Sequence, residues 1–152
     1  MSKSKSDFLA DLSQSSRSDC GRVNFNRQLF PQKVFSAIWD LESEVNNGGF
    51  CQYFVNNSSE TAHFILEALK SVGAPRMVAI CSKAFDAAFP NGLPSSPNEI
   101  QVAAKSGFSK EVKDKLQILD LEFFQYPDDL VELVFEFVKQ HPSEFGDVPN
   151  FS

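Results

Sequence analysis

Residues 41–57 read L-E-S-E-V-N-N-G-G-F-C-Q-Y-F-V-N-N, and this stretch decides the reading of the whole chain. Gly48 and Gly49 stand side by side, with Asn46 and Asn47 before them and Phe50, Tyr53 and Phe54 after. Asparagine tolerates left-handed backbone and glycine takes positive φ without steric cost, so a helix should end here. Upstream, Val34, Ile38, Leu41 and Val45 recur at helical spacing behind Pro31, a favoured first helical residue. Downstream, Phe50, Tyr53 and Phe54 form a short apolar face. The expectation is a helix-turn-helix-like corner, in the structural sense, at Gly48-Gly49.

Working outward, the remaining periodic segments are also helical. Asn57, Ser58 or Ser59 should cap a helix carrying Ala62, Ile65, Leu66, Leu69 and Val72, closed by Gly73. Pro75 restarts a helix through Met77, Ile80, Cys81, Ala84 and Phe85, which Pro90-Asn91-Gly92 stops. Residues 99–105 offer one or two turns. Ser109 caps a longer helix with Leu116, Leu119 and Phe123 inward, and Pro127 should open the last one. His141-Pro142 ends it, because a residue before proline avoids helical backbone. No alternating run of strand length appears. The chain reads as all-α: one compact domain of about six helices over residues 23–152. Residues 1–22, with seven serines in the first eighteen, read as a flexible tail with at most a fragile turn of helix at residues 7–12.

A length of 152 residues suits one domain with a real core, and sixteen phenylalanines predict that the core is rich in that residue. The formal net charge of −6 argues against direct binding of nucleic acid and suits a basic partner. Three cysteines, Cys20, Cys51 and Cys81, occur without a Cys-x-x-Cys, so no disulfide framework or zinc site is indicated. There is no apolar run of signal-peptide length and none of the roughly 20 residues a membrane helix needs. A cytoplasmic protein with reduced thiols and no membrane contact is expected.

Candidate chemistry is sparse. A catalytic nucleophile needs a base within reach, and the two histidines are His63 and His141. Cys51 could pair with His63, but buried cysteines are usually inert. Glu42 and Glu44 stand two apart and face different sides of a helix, which disfavours a shared ion. Gly48-Gly49 lacks the third glycine and the preceding strand of a nucleotide fingerprint. No catalytic, cofactor-binding or metal-binding residue is assigned. Glu44, Asn46, Asn47, Gln52, Tyr53 and Asn56 read as side chains that satisfy open helix ends. A ligand-binding or enzymatic site around Glu44, Gln52 and Tyr53 is the alternative.

The charge is lopsided. Residues 1–106 hold ten basic and ten acidic side chains, whereas residues 107–152 hold four lysines against ten acids. Between Lys115 and Lys139 lie Asp120, Glu122, Asp128, Asp129, Glu132 and Glu136 and no cation. On the last helix Glu132 and Glu136 are about 6 Å apart along the axis, on one face. This is either a solvated face or an anionic surface for a basic partner. The same helix is too apolar for a single stripe, so it is central or lends one flank to a homodimer.

The run Glu44-Val45-Asn46-Asn47-Gly48-Gly49-Phe50, followed by Gln52-Tyr53-Phe54 and Asn56, resembles the signature of the bacterial DNA-mimic protein family. Ala68-Leu69 with Gly73-Ala74, Phe89-Pro90-x-Gly92, Leu119-Asp120 with Phe123, and His141-Pro142 with Phe145 extend the resemblance to about residues 30–145. It implies an all-helical, acidic, non-enzymatic protein that tends to dimerise. Its surface carboxylates would stand in for DNA phosphates on the DNA-binding face of a transcription factor. The partner-binding patch is then Asp120, Glu122, Asp128, Asp129, Glu132 and Glu136, with Glu132 and Glu136 the leading pair. An immunity or antitoxin-like protein that neutralises a basic toxin is the rival of the same charge logic.

Overall fold

α2, Phe30–Val55, is the spine of the molecule, and its two halves meet at the double glycine. The computed structural model describes residues 4–14 and 24–149. Around α2 stand α1 (Lys5–Ser13), α3 (Ile65–Val72), α4 (Pro75–Ala88), α5 (Pro97–Lys105), α6 (Lys110–Phe124), α7 (Leu130–Lys139) and α8 (Pro142–Phe145). Short 3₁₀ turns, Phe25–Arg27 and Asn57–Thr61, flank the spine, and the described residues contain no strand.

α2 is covered by α3, α5, α6, α7 and α8, while α4 packs between α3 and α6. Val34, Phe35, Ile38, Leu41 and Val45 from its first half are fully buried, as are Phe50, Tyr53 and Phe54 from its second. Fully burying one such side chain stabilises by about 1.5–3 kcal/mol, so the spine dominates the core. Phe54 meets Phe89, Phe85 and Phe108 with ring centroids 5.2, 5.6 and 6.2 Å apart. Phe50 meets Phe123 edge-on at 6.0 Å and ties the spine to α6. The Phe-rich core expected from composition is this cluster.

The all-α architecture is as expected, with differences at several boundaries. The first half of the spine ends at the glycines, as expected, and the second half follows without an intervening loop. Gly48 (φ −157°, ψ 17°) and Gly49 (φ 76°, ψ −176°) leave helical geometry, yet helix resumes at once. Asn46 and Asn47 stay helical, and Gly49 alone carries the positive φ of the joint. The segment after Asn56 is a 3₁₀ turn before α3 begins at Ile65, without a side-chain cap. The last long helix starts at Leu130, not Pro127, because Asp129 accepts the backbone N–H of Glu132 and caps it there. Tyr126, at φ 48°, turns the chain just before Pro127.

Where the sequence offered only a fragile turn at residues 7–12, Lys5–Ser13 form a helix. α1 is fixed at its start by a capping box between Ser4 and Asp7, and it buries Phe8, Leu9 and Leu12. Phe8 packs edge-on against Phe135 of α7 at 6.0 Å. One apolar flank of α7 is thus covered by α1 from the same chain. Cys20 falls outside the described residues.

Candidate functional site

The double glycine creates a fresh helix N-terminus in the middle of a helix, and the molecule answers with a carboxylate from elsewhere. Asp120 Oδ1 on α6 accepts the Phe50 N–H at 2.9 Å. Burial pushes the Asp120 carboxyl upward, and this hydrogen bond offsets part of that. A Cβ on Gly49 would collide with the Asp120 carboxylate, and one on Gly48 would collide with Gln52. Only glycine permits that approach.

The polar side chains around the joint satisfy one another. Glu44 Oε2 accepts from Gln52 Nε2 at 2.8 Å and from Asn56 Nδ2 at 2.6 Å, which spans the kink. Asn46 Nδ2 donates to Tyr126 Oη at 2.8 Å, and that hydroxyl donates to Glu42 Oε1 at 3.0 Å. Tyr53, fully buried, pairs its hydroxyl with Thr61 Oγ1 at 2.7 Å, and burial drives its phenol upward. Glu44, Asn46, Gly48, Gly49, Phe50, Gln52, Tyr53, Phe54 and Asn56 therefore build the joint, while Asn47 is exposed beside it. Tyr53 is closed off from any ligand at its hydroxyl. Cys51 and His63 do not pair: His63 Nε2 bonds the Pro94 carbonyl at 2.7 Å, and burial with the Asp120 charge raises the Cys51 thiol. No group of three His, Cys, Asp or Glu able to hold a metal ion occurs among the described residues.

The six late carboxylates divide by role. Asp120 faces the kink and is half-buried. Glu122 is exposed beside an α4–α6 groove that Arg76 and Lys83 also line. Asp128 Oδ2 accepts the Met77 N–H at 2.9 Å and so caps α4 from a distance. Asp129 is exposed and caps α7 through the Glu132 N–H at 3.2 Å. Asp128, Asp129 and Glu132 gather at the start of α7, whereas Asp120 is turned toward the spine. The pair expected to lead the patch is partly neutralised. Lys5 Nζ reaches Glu132 at 2.7 and 2.9 Å, and Lys139 Nζ lies 4.0 Å from Glu136.

Two acids on α2 are perturbed by burial: Asp40, which escaped notice in the sequence, and Glu42, which the sequence raised only as a possible ion ligand. Burial, helped by the Glu44 and Glu60 charges, holds the Asp40 carboxyl up at about 6. Burial and the Asp129 charge push Glu42 up to about 7 against the pull of Tyr126. Asp40 and Glu44 stand four apart on one helix face, where like charges repel; that spacing was the available signal.

These features define an all-helical domain hung on one kinked helix, with its net negative charge concentrated in the last third of the chain. A family model described as DMP19-like protein matches residues 29–141, and the chain belongs to that family. Neither the curated proteins nor the solved structures yielded a match. Membership fits a DNA-mimic role in general, and with it a protein that acts by binding. Among the described residues no helix is long and apolar enough to cross a membrane.

Proposed function

We propose that this protein is a DNA mimic that occupies the basic, DNA-contacting face of a DNA-binding protein. Glu122, Asp128, Asp129, Glu132 and Glu136 form the contacting set, led by Glu122, Asp128 and Asp129, while Asp120 holds the spine behind them. One observation carries the reading: the stretch between Lys115 and Lys139 holds six carboxylates and no cation, and main-chain amides fix three of them in place. A carboxylate already fixed loses little conformational freedom when a partner binds. Complementary charge speeds encounter and suppresses wrong partners.

The test is competition. The tagged protein, loaded with partners from its native host lysate at low salt, is challenged with duplex DNA and separately with rising salt. The reading requires a captured DNA-binding protein that both treatments release, because screening weakens exposed charge pairs. A captured partner indifferent to duplex DNA overturns it, and a basic toxin released only by salt supports the immunity-protein rival.

A further inference from the structure

A second acidic feature adjoins Trp39, apart from the Glu42–Tyr126 contact. A cleft of about 190 Å³ opens where α1, the two 3₁₀ turns and α2 meet, with Asp40, Glu60, Trp39 and Phe25 in its lining. Gln28 and Ser36 complete its wall, with Ser36 Oγ donating to Gln28 Oε1 at 2.7 Å. Trp39 is held in place by stacking on Phe35, with ring centroids 5.9 Å apart.

Neither Asp40 nor Glu60 makes a hydrogen bond or an ion pair among the described residues. A carboxylate sheltered from water is normally compensated by a cation or by donors, and among the described residues Asp40 has neither. The charged groups acting on Asp40 are Glu44 on its own helix and Glu60 on the 3₁₀ turn, and both repel it. Lys33 lies over the Phe25 ring, 5.6 Å from its centroid, and pairs with neither acid.

We propose that this cleft binds a single guanidinium or alkylammonium group, held by Asp40 and Glu60 against the indole of Trp39. Carboxylates accept charge-assisted hydrogen bonds from such a group, and an indole face attracts it through its quadrupole. The volume is below the roughly 300–1,000 Å³ of drug-sized ligand sites, so the fit is one side-chain-sized cation. A metal ion fits less well, since two carboxylates fall short of a hard cation's oxygen set. Burial and the Glu44 and Glu60 charges raise the Asp40 carboxyl, and a cation beside it acts in the opposite sense, favouring the carboxylate. This site is separate from the late-helix carboxylates and stands whether or not they meet a DNA-binding protein.

The experiment is an NMR titration following the Trp39 indole N–H and the Asp40 and Glu60 amides. The probes are ethylguanidinium, butylammonium, neutral ethylurea, and a short peptide with one arginine beside its arginine-to-citrulline control. Saturable shifts with the two cations and none with ethylurea support the site. Asp40→Asn and Glu60→Gln should each weaken binding about tenfold, as expected for a lost charge-assisted contact. Both variants remove an uncompensated carboxylate, and dispersed amide spectra report that they fold. Tighter binding of the arginine peptide than of ethylguanidinium identifies a protein side chain as the ligand, and equal affinity identifies a free small cation. The proposal is overturned by shifts that fail to saturate, by equal shifts with ethylurea, or by binding that survives in Asp40→Asn and Glu60→Gln alike.

Discussion

Asp120 Oδ1 and the Phe50 N–H meet at 2.9 Å across seventy residues of sequence. The contact caps the half of α2 that restarts after the glycines. We expect Asp120→Ala to cost about 1–2 kcal/mol, the usual worth of a helix cap, and Asp120→Asn to cost less because its amide oxygen still accepts. Urea midpoints with unchanged slopes would measure this; equal losses for the two variants would deny the cap.

Gly49 carries the strain of the same joint. Its φ of 76° with ψ of −176° belongs to a region open essentially to glycine, and an added Cβ would strike Asp120. Gly49→Ala should lose about 3 kcal/mol or more. Gly48, at φ −157°, has ordinary extended φ and obstructs only Gln52, so Gly48→Ala should lose less. Thermal melts of the two variants test the order.

Glu42 makes stability depend on pH in an unusual direction. Its folded value of about 7 lies above its ordinary 4.5, so the folded state holds the proton more tightly. Its stabilising contribution is complete below about pH 4.5 and is lost as pH rises to 7. The loss is on the order of 3–4 kcal/mol, at about 1.4 kcal/mol for each pH unit of displacement. Asp40, raised to about 6, acts in the same sense. Glu42→Gln keeps an acceptor for Tyr126 and cannot ionise, so it should gain on the wild type between pH 5 and pH 8 in chemical denaturation. A constant difference across that range would remove Glu42 as the cause.

Asp129 separates charge from scaffold. Asparagine caps a helix about as well as aspartate, so Asp129→Asn should stay within about 0.5 kcal/mol of wild type. It should nevertheless weaken binding to a DNA-competed partner severalfold and flatten the salt dependence. Calorimetry beside binding isotherms gives both readings, and unchanged affinity would take Asp129 out of the contacting set.

Lys5 works against the patch by pairing with Glu132 at 2.7 Å. Lys5→Gln should cost about 1 kcal/mol, because the ion pair is part-buried and Lys5 also lies over the Phe135 ring, while freeing Glu132 and strengthening partner binding. Leu12→Ala, in the same helix but fully buried, should cost about 2–5 kcal/mol. Amide hydrogen exchange over α1 distinguishes a docked helix from a loose one.

Much of this molecule was legible before any coordinates. The 3.6-residue recurrence of Val34, Ile38, Leu41 and Val45, the glycine at 73 and the prolines at 75 and 142 mark helices by local chemistry alone. Local rules fail where a distant group decides. Pro127 looked like a helix start, but Asp129 supplies the cap and Tyr126 turns the chain. Residues 5–13 are polar and short, and only the apolar flank of α7 makes them a docked helix.

The sequence by itself determined the all-helical class, the family and the concentration of acid in the last third, because these depend on spacing and composition. Tertiary structure alone decided which of those acids are spoken for. Asp120 and Asp128 cap helices remote in sequence, Lys5 reaches Glu132 across 127 residues, and Asp40 and Glu42 are lifted by burial. The reason is physical: helix propensity is set by neighbours along the chain, whereas the energy of a charge is set by whatever folding places within a few ångströms of it.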